Sequence, residues 1–98
     1  MLTRSQQIQT LENLRDYVND TLCDHNQLEP GVFHMAQHIL VRSGDPCGIY
    51  FCLHGPRAVR LTAIWETDSN TILFYDSCGE RVQKTRLIEA PCLQHAAA

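Results

Sequence analysis

The sequence predicts an α+β domain: one N-terminal amphipathic helix packed on an antiparallel meander sheet of four to five strands. Three observations carry this. Between Gln37 and Ile88, five short apolar runs are separated by four turn signals: Ser43-Gly44-Asp45-Pro46, Gly55-Pro56-Arg57, Asp68-Ser69-Asn70 and Ser77-Cys78-Gly79. Apolar runs broken by turns about every 8–12 residues mark short antiparallel strands. Ahead of them, Ile8, Leu11, Leu14, Val18 and Leu22 recur at three- and four-residue steps, the period of one helix face. Finally, 98 residues are enough for one domain, residues 1–98, and too few for two.

The helix is expected over about residues 4–23. Thr3 followed by Gln6 has the pattern of a capping box, which would satisfy two free amides at a helix start. No Gly or Pro interrupts the segment. Arg15 lies at the edge of the apolar stripe, with its stem along the core and its head in water. Asp24 to Gly31 is a connector closed by the breaker Glu29-Pro30-Gly31. Val32 to Ala36 fits both helical spacing and alternation. Irregular structure is expected there to about Ala36, then a strand at Gln37–Arg42.

The remaining strands are expected at Cys47–His54, Ala58–Glu66, Thr71–Asp76 and Arg81–Ile88. Gly, Pro, Asn and Asp bound them because these residues supply positive φ, a preset φ or a side-chain bond to their own backbone. Residues 89–98, ending in His95-Ala96-Ala97-Ala98, are expected to fray. The element order is similar to that of helix-against-curled-sheet folds such as the cystatin or monellin architecture. That likeness concerns element order only and transmits no function.

Alternation along a strand separates two faces. Ile39, Val41, Ile49, Phe51, Leu53, Val59, Leu61, Ala63 and Trp65 form the face expected to receive the helix. Either Ile72 and Phe74 or Leu73 and Tyr75 continue it. Tyr50, Cys52, His54, Arg60, Thr62, Ile64 and Glu66 form a second, mixed face. One helix, about 10–12 Å across, cannot span five strands, roughly 19 Å between outer axes. The mixed face has no covering element, so Tyr50, Cys52, His54, Arg60, Thr62 and Ile64 are the candidate interface residues.

Composition narrows the function classes. Charged residues are 19% and hydrophobic residues 44%, ordinary values for a folded globular chain. A formal net charge of −3 and a pI near 5.9 argue against a dedicated nucleic-acid binder, which usually shows a basic footprint. No apolar run approaches the length of a membrane span, and the first residues lack the apolar core of a signal peptide. Five cysteines, an odd number at irregular spacing, do not form a secreted disulfide framework. A cytoplasmic protein with reduced thiols is the simplest expectation.

No catalytic motif stands out, and no cofactor is expected. Glycine-rich phosphate loops and a G-x-S-x-G elbow are both missing. His34 and His38 on a strand would lie roughly 13 Å apart, too far to share a metal. Cys52 and His54 share a strand face, with Glu66 or Asp76 as distant acids. A nucleophilic thiol needs a nearby base that keeps it ionised, and a mid-strand cysteine is more often an inert small hydrophobe. Cys78, in a turn, is the thiol most open to reagents. The leading expectation is a non-catalytic protein-interaction module, self-associating as a homodimer or meeting another protein through the mixed face. A small ligand held between helix and sheet is the alternative, and a thiol or metal activity at Cys52 and His54 the third.

Overall fold

The computed structural model describes residues 1–93. The chain runs β1 (Leu2–Gln7), α1 (Leu11–His25), β2 (Met35–Arg42), β3 (Asp45–His54), a short 3-10 turn (Pro56–Ala58), β4 (Arg60–Glu66), β5 (Thr71–Tyr75) and β6 (Arg81–Glu89). One six-stranded sheet has the order β1-β6-β5-β4-β3-β2. Its pairs are antiparallel except β1–β6, which is parallel. The α+β class and the N-terminal helix agree with the sequence. The strand count does not: there are six, not four to five.

The added strand comes from the segment expected to open the helix. Leu2 to Gln7 instead pairs with β6, from Leu2 opposite Gln83 to Gln7 opposite Glu89. The helix begins at Leu11 behind Thr10, an extended residue whose side chain accepts a hydrogen bond from the Asn13 amide at 3.0 Å. An N-cap of this kind satisfies one of the amides a helix start leaves free. Thr3 has the same chemistry but lies within a strand. Ile8 keeps its apolar role, buried between strand and helix.

The strand boundaries elsewhere differ by a few residues. β2 starts at Met35, within the stretch expected to be irregular. β4 starts at Arg60, because Pro56–Ala58 forms the 3-10 turn. Ser43 and Gly44, at φ 53 and 83, join β2 to β3. Two consecutive positive φ values make the tight hairpin whose twist matches the flanking strands. Glu89 closes β6, and Leu93 is buried in the core. The rest of the expected tail, residues 94–98, lies outside the described residues.

Leu14, Val18 and Leu22 of α1 are buried with Phe51, Leu53, Leu61, Ala63, Trp65, Ile72 and Phe74 of the sheet. Register settles the open question on β5: Ile72 pairs with Trp65 and Phe74 with Ala63, so Ile72 and Phe74 face the helix. Arg15 reaches the β2 edge, where its guanidinium donates to the Gln37 side chain and the Met35 carbonyl. Beyond that clamp the helix covers little. Ile39 and Val41, on the helix side of β2, remain 38% and 62% exposed. The reason is width: six strands span roughly 24 Å, about twice a helix diameter.

Candidate functional site

The sheet face away from α1 is built in cross-strand rows. His54 pairs with Arg60. The next row runs Ala36, Cys52, Thr62, Tyr75 and Arg81. Then come His38, Tyr50, Ile64, Leu73 and Lys84, and after them Leu40, Gly48, Glu66, Thr71 and Arg86. All six candidate interface residues therefore lie on this one face, as three adjacent pairs across β3 and β4: Tyr50 with Ile64, Cys52 with Thr62, and His54 with Arg60.

No element among the described residues lies over this face. Its apolar centre is partly shielded by its own neighbours: Cys52 is 7% and Leu73 9% exposed, and Tyr50, Thr62, Ile64 and Tyr75 are half-buried. The His38 ring stacks against Tyr50 at 6.5 Å between centroids. His34 and His54 lie 5.9 Å apart. The Arg81 guanidinium sits 5.7 Å over the Tyr75 ring, within the range of a cation–π contact, and also donates to the Tyr75 hydroxyl at 3.2 Å. Burial pushes the Tyr50 phenol pKa up. The neighbouring Cys52 adds to the rise, and Arg60 opposes it.

Leu73, Tyr75, Arg81, Lys84 and Arg86 join this face only through the β4–β5 and β5–β6 registers. The β5 run is apolar at three successive positions, so alternation in the sequence could not assign its faces. Arg81, Lys84 and Arg86 lie close together in the sequence, but the sequence does not assign their side.

The thiol reading gains no third partner. The ring nearest His54 is another imidazole, and its cross-strand partner is the cation Arg60. Glu66 lies opposite Gly48, two rows from Cys52. Among the described residues, no three His, Cys, Asp or Glu side chains are placed to hold a metal ion. No helix there is long and apolar enough to cross a membrane.

A second feature is an open groove of about 510 Å³ between α1 and the β1–β6 edge, lined by Arg4, Tyr17, Asp20, His25 and Gln83 among others. Gln83 and Thr85 are buried polar groups with partners. The Gln83 amide nitrogen donates to the Thr85 hydroxyl at 2.8 Å, its oxygen lies 2.6 Å from His25 Nε2, and the Tyr17 hydroxyl lies 3.0 Å from that of Thr85. Buried polar groups of this kind are tolerated because they bond one another.

Compared with known protein families, curated proteins and solved structures, the chain matches none.

Proposed function

We propose that this protein is a non-catalytic interaction module whose working surface is the open face of its sheet. The supporting observation is the arrangement around Tyr50 and Ile64. These half-buried groups lie side by side on a face that nothing among the described residues covers, rimmed by His54, Arg60, Glu66 and Lys84. An apolar centre with a polar rim is the anatomy of a protein interface. The side chains named on this face include aromatic, cationic and hydroxyl groups suited to binding.

The self-association expected from the sequence is the version with fewest components, since two-fold dimers are the commonest closed assembly. Sedimentation of wild type and Ile64→Asp, from micromolar to millimolar concentration, measures it. A dimer that Ile64→Asp converts to a folded monomer supports the proposal. A wild-type protein monomeric throughout, in which Ile64→Asp chiefly destabilises the fold, makes Ile64 a structural residue of one chain and sinks the self-association version.

The groove beside α1 supports a second reading, a small polar ligand held between helix and sheet. Its volume falls in the range of ligand pockets, and its walls carry both Arg4 and the carboxylates Asp20 and Asp24. A ligand bound there would raise the unfolding temperature by mass action, so a thermal-shift screen of zwitterionic metabolites tests it directly.

A further inference from the structure

We infer that the open face of the sheet is a platform for single-stranded nucleic acid. The inference rests on the reading of that face as an interaction surface, and it names the partner.

The whole chain is acidic, at −3, but the fold sorts its charges. The strand positions of the open face carry Arg42, Arg60, Arg81, Lys84 and Arg86 against two carboxylates, Asp45 and Glu66. Four of the eleven acids gather elsewhere. Glu12, Asp16, Asp20 and Asp24 follow one another at four-residue steps along α1, all exposed, on the far side of the core. Among the described residues the one ion pair joins Arg42 to Asp68 at 3.1 Å. Arg60, Arg81, Lys84 and Arg86 of the open face are thus unpaired by carboxylates, on a surface that an oppositely charged partner would complement.

Charge alone would accept any polyanion. The aromatic groups narrow the class. Tyr50 and Tyr75 lie two strands apart, about 10 Å across the sheet, and two residues out of register, about 7 Å along it. Each ring has a flat neighbour: His38 stacks on Tyr50, and the Arg81 guanidinium covers Tyr75. Aromatic and guanidinium planes on a sheet are stacking sites for unpaired bases. Platforms roughly 12 Å apart, by the same strand spacings, suit bases splayed from a single strand, while a duplex keeps its base faces stacked inside. Lys84 and Arg86, on β6 beyond the tyrosines, are placed for the phosphates.

The test is fluorescence anisotropy of a labelled oligothymidylate with the full chain, against a duplex of equal length and against heparin, over a series of salt concentrations. Two variants carry the decision. Lys84→Gln combined with Arg86→Gln changes exposed side chains, and Tyr75→Leu keeps an apolar group in place; thermal unfolding confirms that each is folded. The expected result is binding of the single strand over the duplex and heparin. Affinity should fall with salt, and the double variant should flatten the log–log slope by about 0.7 for each phosphate it no longer neutralises. Tyr75→Leu should weaken binding roughly five- to 150-fold, the range for one stacked base. Three results overturn the inference: no binding at low salt, heparin bound as tightly as the oligonucleotide, or affinities unchanged in both variants. Sedimentation of the same samples separates the two levels of the reading. No oligonucleotide binding together with a dimer dispersed by Ile64→Asp overturns the nucleic-acid partner and keeps the interaction surface. No binding and a monomer at every concentration overturn both.

Discussion

Replacing Trp65 by phenylalanine sets two buried effects of similar size against each other. Trp65 is 1% exposed and pairs across the sheet with Ile49 and Ile72. Its indole nitrogen is the only fully buried side-chain nitrogen or oxygen among the described residues that has no hydrogen-bond partner. An unsatisfied buried donor costs about 1–3 kcal/mol. Phenylalanine removes that donor. It also removes about two carbons' worth of transfer energy, roughly 1.6 kcal/mol at about 0.8 per methylene, and leaves a small void worth about 1 kcal/mol more. The terms nearly cancel, so Trp65→Phe is expected to cost of order 1 kcal/mol, a fall of about 4–8 °C in Tm for a domain this size. Trp65→Ala keeps none of the compensation and is expected to cost about 3–5 kcal/mol. Urea unfolding of the three proteins, read by circular dichroism, measures both differences. If Trp65→Phe costs as much as Trp65→Ala, the indole N–H is satisfied in solution and the reasoning fails.

Other consequences are as direct. Leu14 is fully buried at the centre of the helix stripe, so Leu14→Ala is expected to lose about 2–5 kcal/mol; an unmoved unfolding midpoint would remove that stripe from the core. Gln83→Leu leaves the Thr85 and Tyr17 hydroxyls and His25 without their amide partner and is expected to cost about 1–3 kcal/mol, with stability measured by denaturant; a neutral result would mean the network contributes nothing. Cys78 and Cys92 are exposed while Cys23 and Cys52 are buried, so in a native thiol-labelling time course Cys78 should be modified well before Cys52, and the reverse order would contradict the packing of the open face. Alkaline pH should weaken the fold. Burial, helped by the charge of Asp20, raises the Cys23 thiol above its ordinary 9.0, and burial likewise raises the Tyr50 phenol above 10.0. The folded chain holds these protons more tightly than the unfolded one, so their stabilising contribution is complete below pH 9.0 and is lost as pH climbs through the folded values. A denaturation midpoint constant from pH 9.0 upward would refute this.

What the sequence made legible follows from where its contrasts lie. In β3, Ile49, Phe51 and Leu53 alternate with Tyr50, Cys52 and His54, and alternation assigns both faces at once. In β5 the successive residues Ile72, Leu73 and Phe74 carry no contrast, and all three are buried; their faces come only from pairing with β4. The N-terminus failed for a different reason. Thr3 to Gln7 are compatible with a helix, and their strand state depends on β6, some eighty residues away. Tertiary pairing of that kind overrides local propensity. The candidate face was readable on β3 and β4, but its basic rim on β6 was not, because it required two further registers.

Net charge is the quantity most easily read from a sequence, and here it sums over faces that the fold keeps apart. Along α1, acids at four-residue steps repel one another, at a cost of about 0.2–0.5 kcal/mol for each adjacent pair. The cations of the open sheet face stand on the other side of the core, about 10 Å or more away, a separation at which salt already screens exposed charges heavily. The acidic helix and the basic sheet face therefore do little for each other within one chain. Each keeps its field directed outward. The net charge alone therefore hides a cationic sheet face that lies opposite an acidic helix.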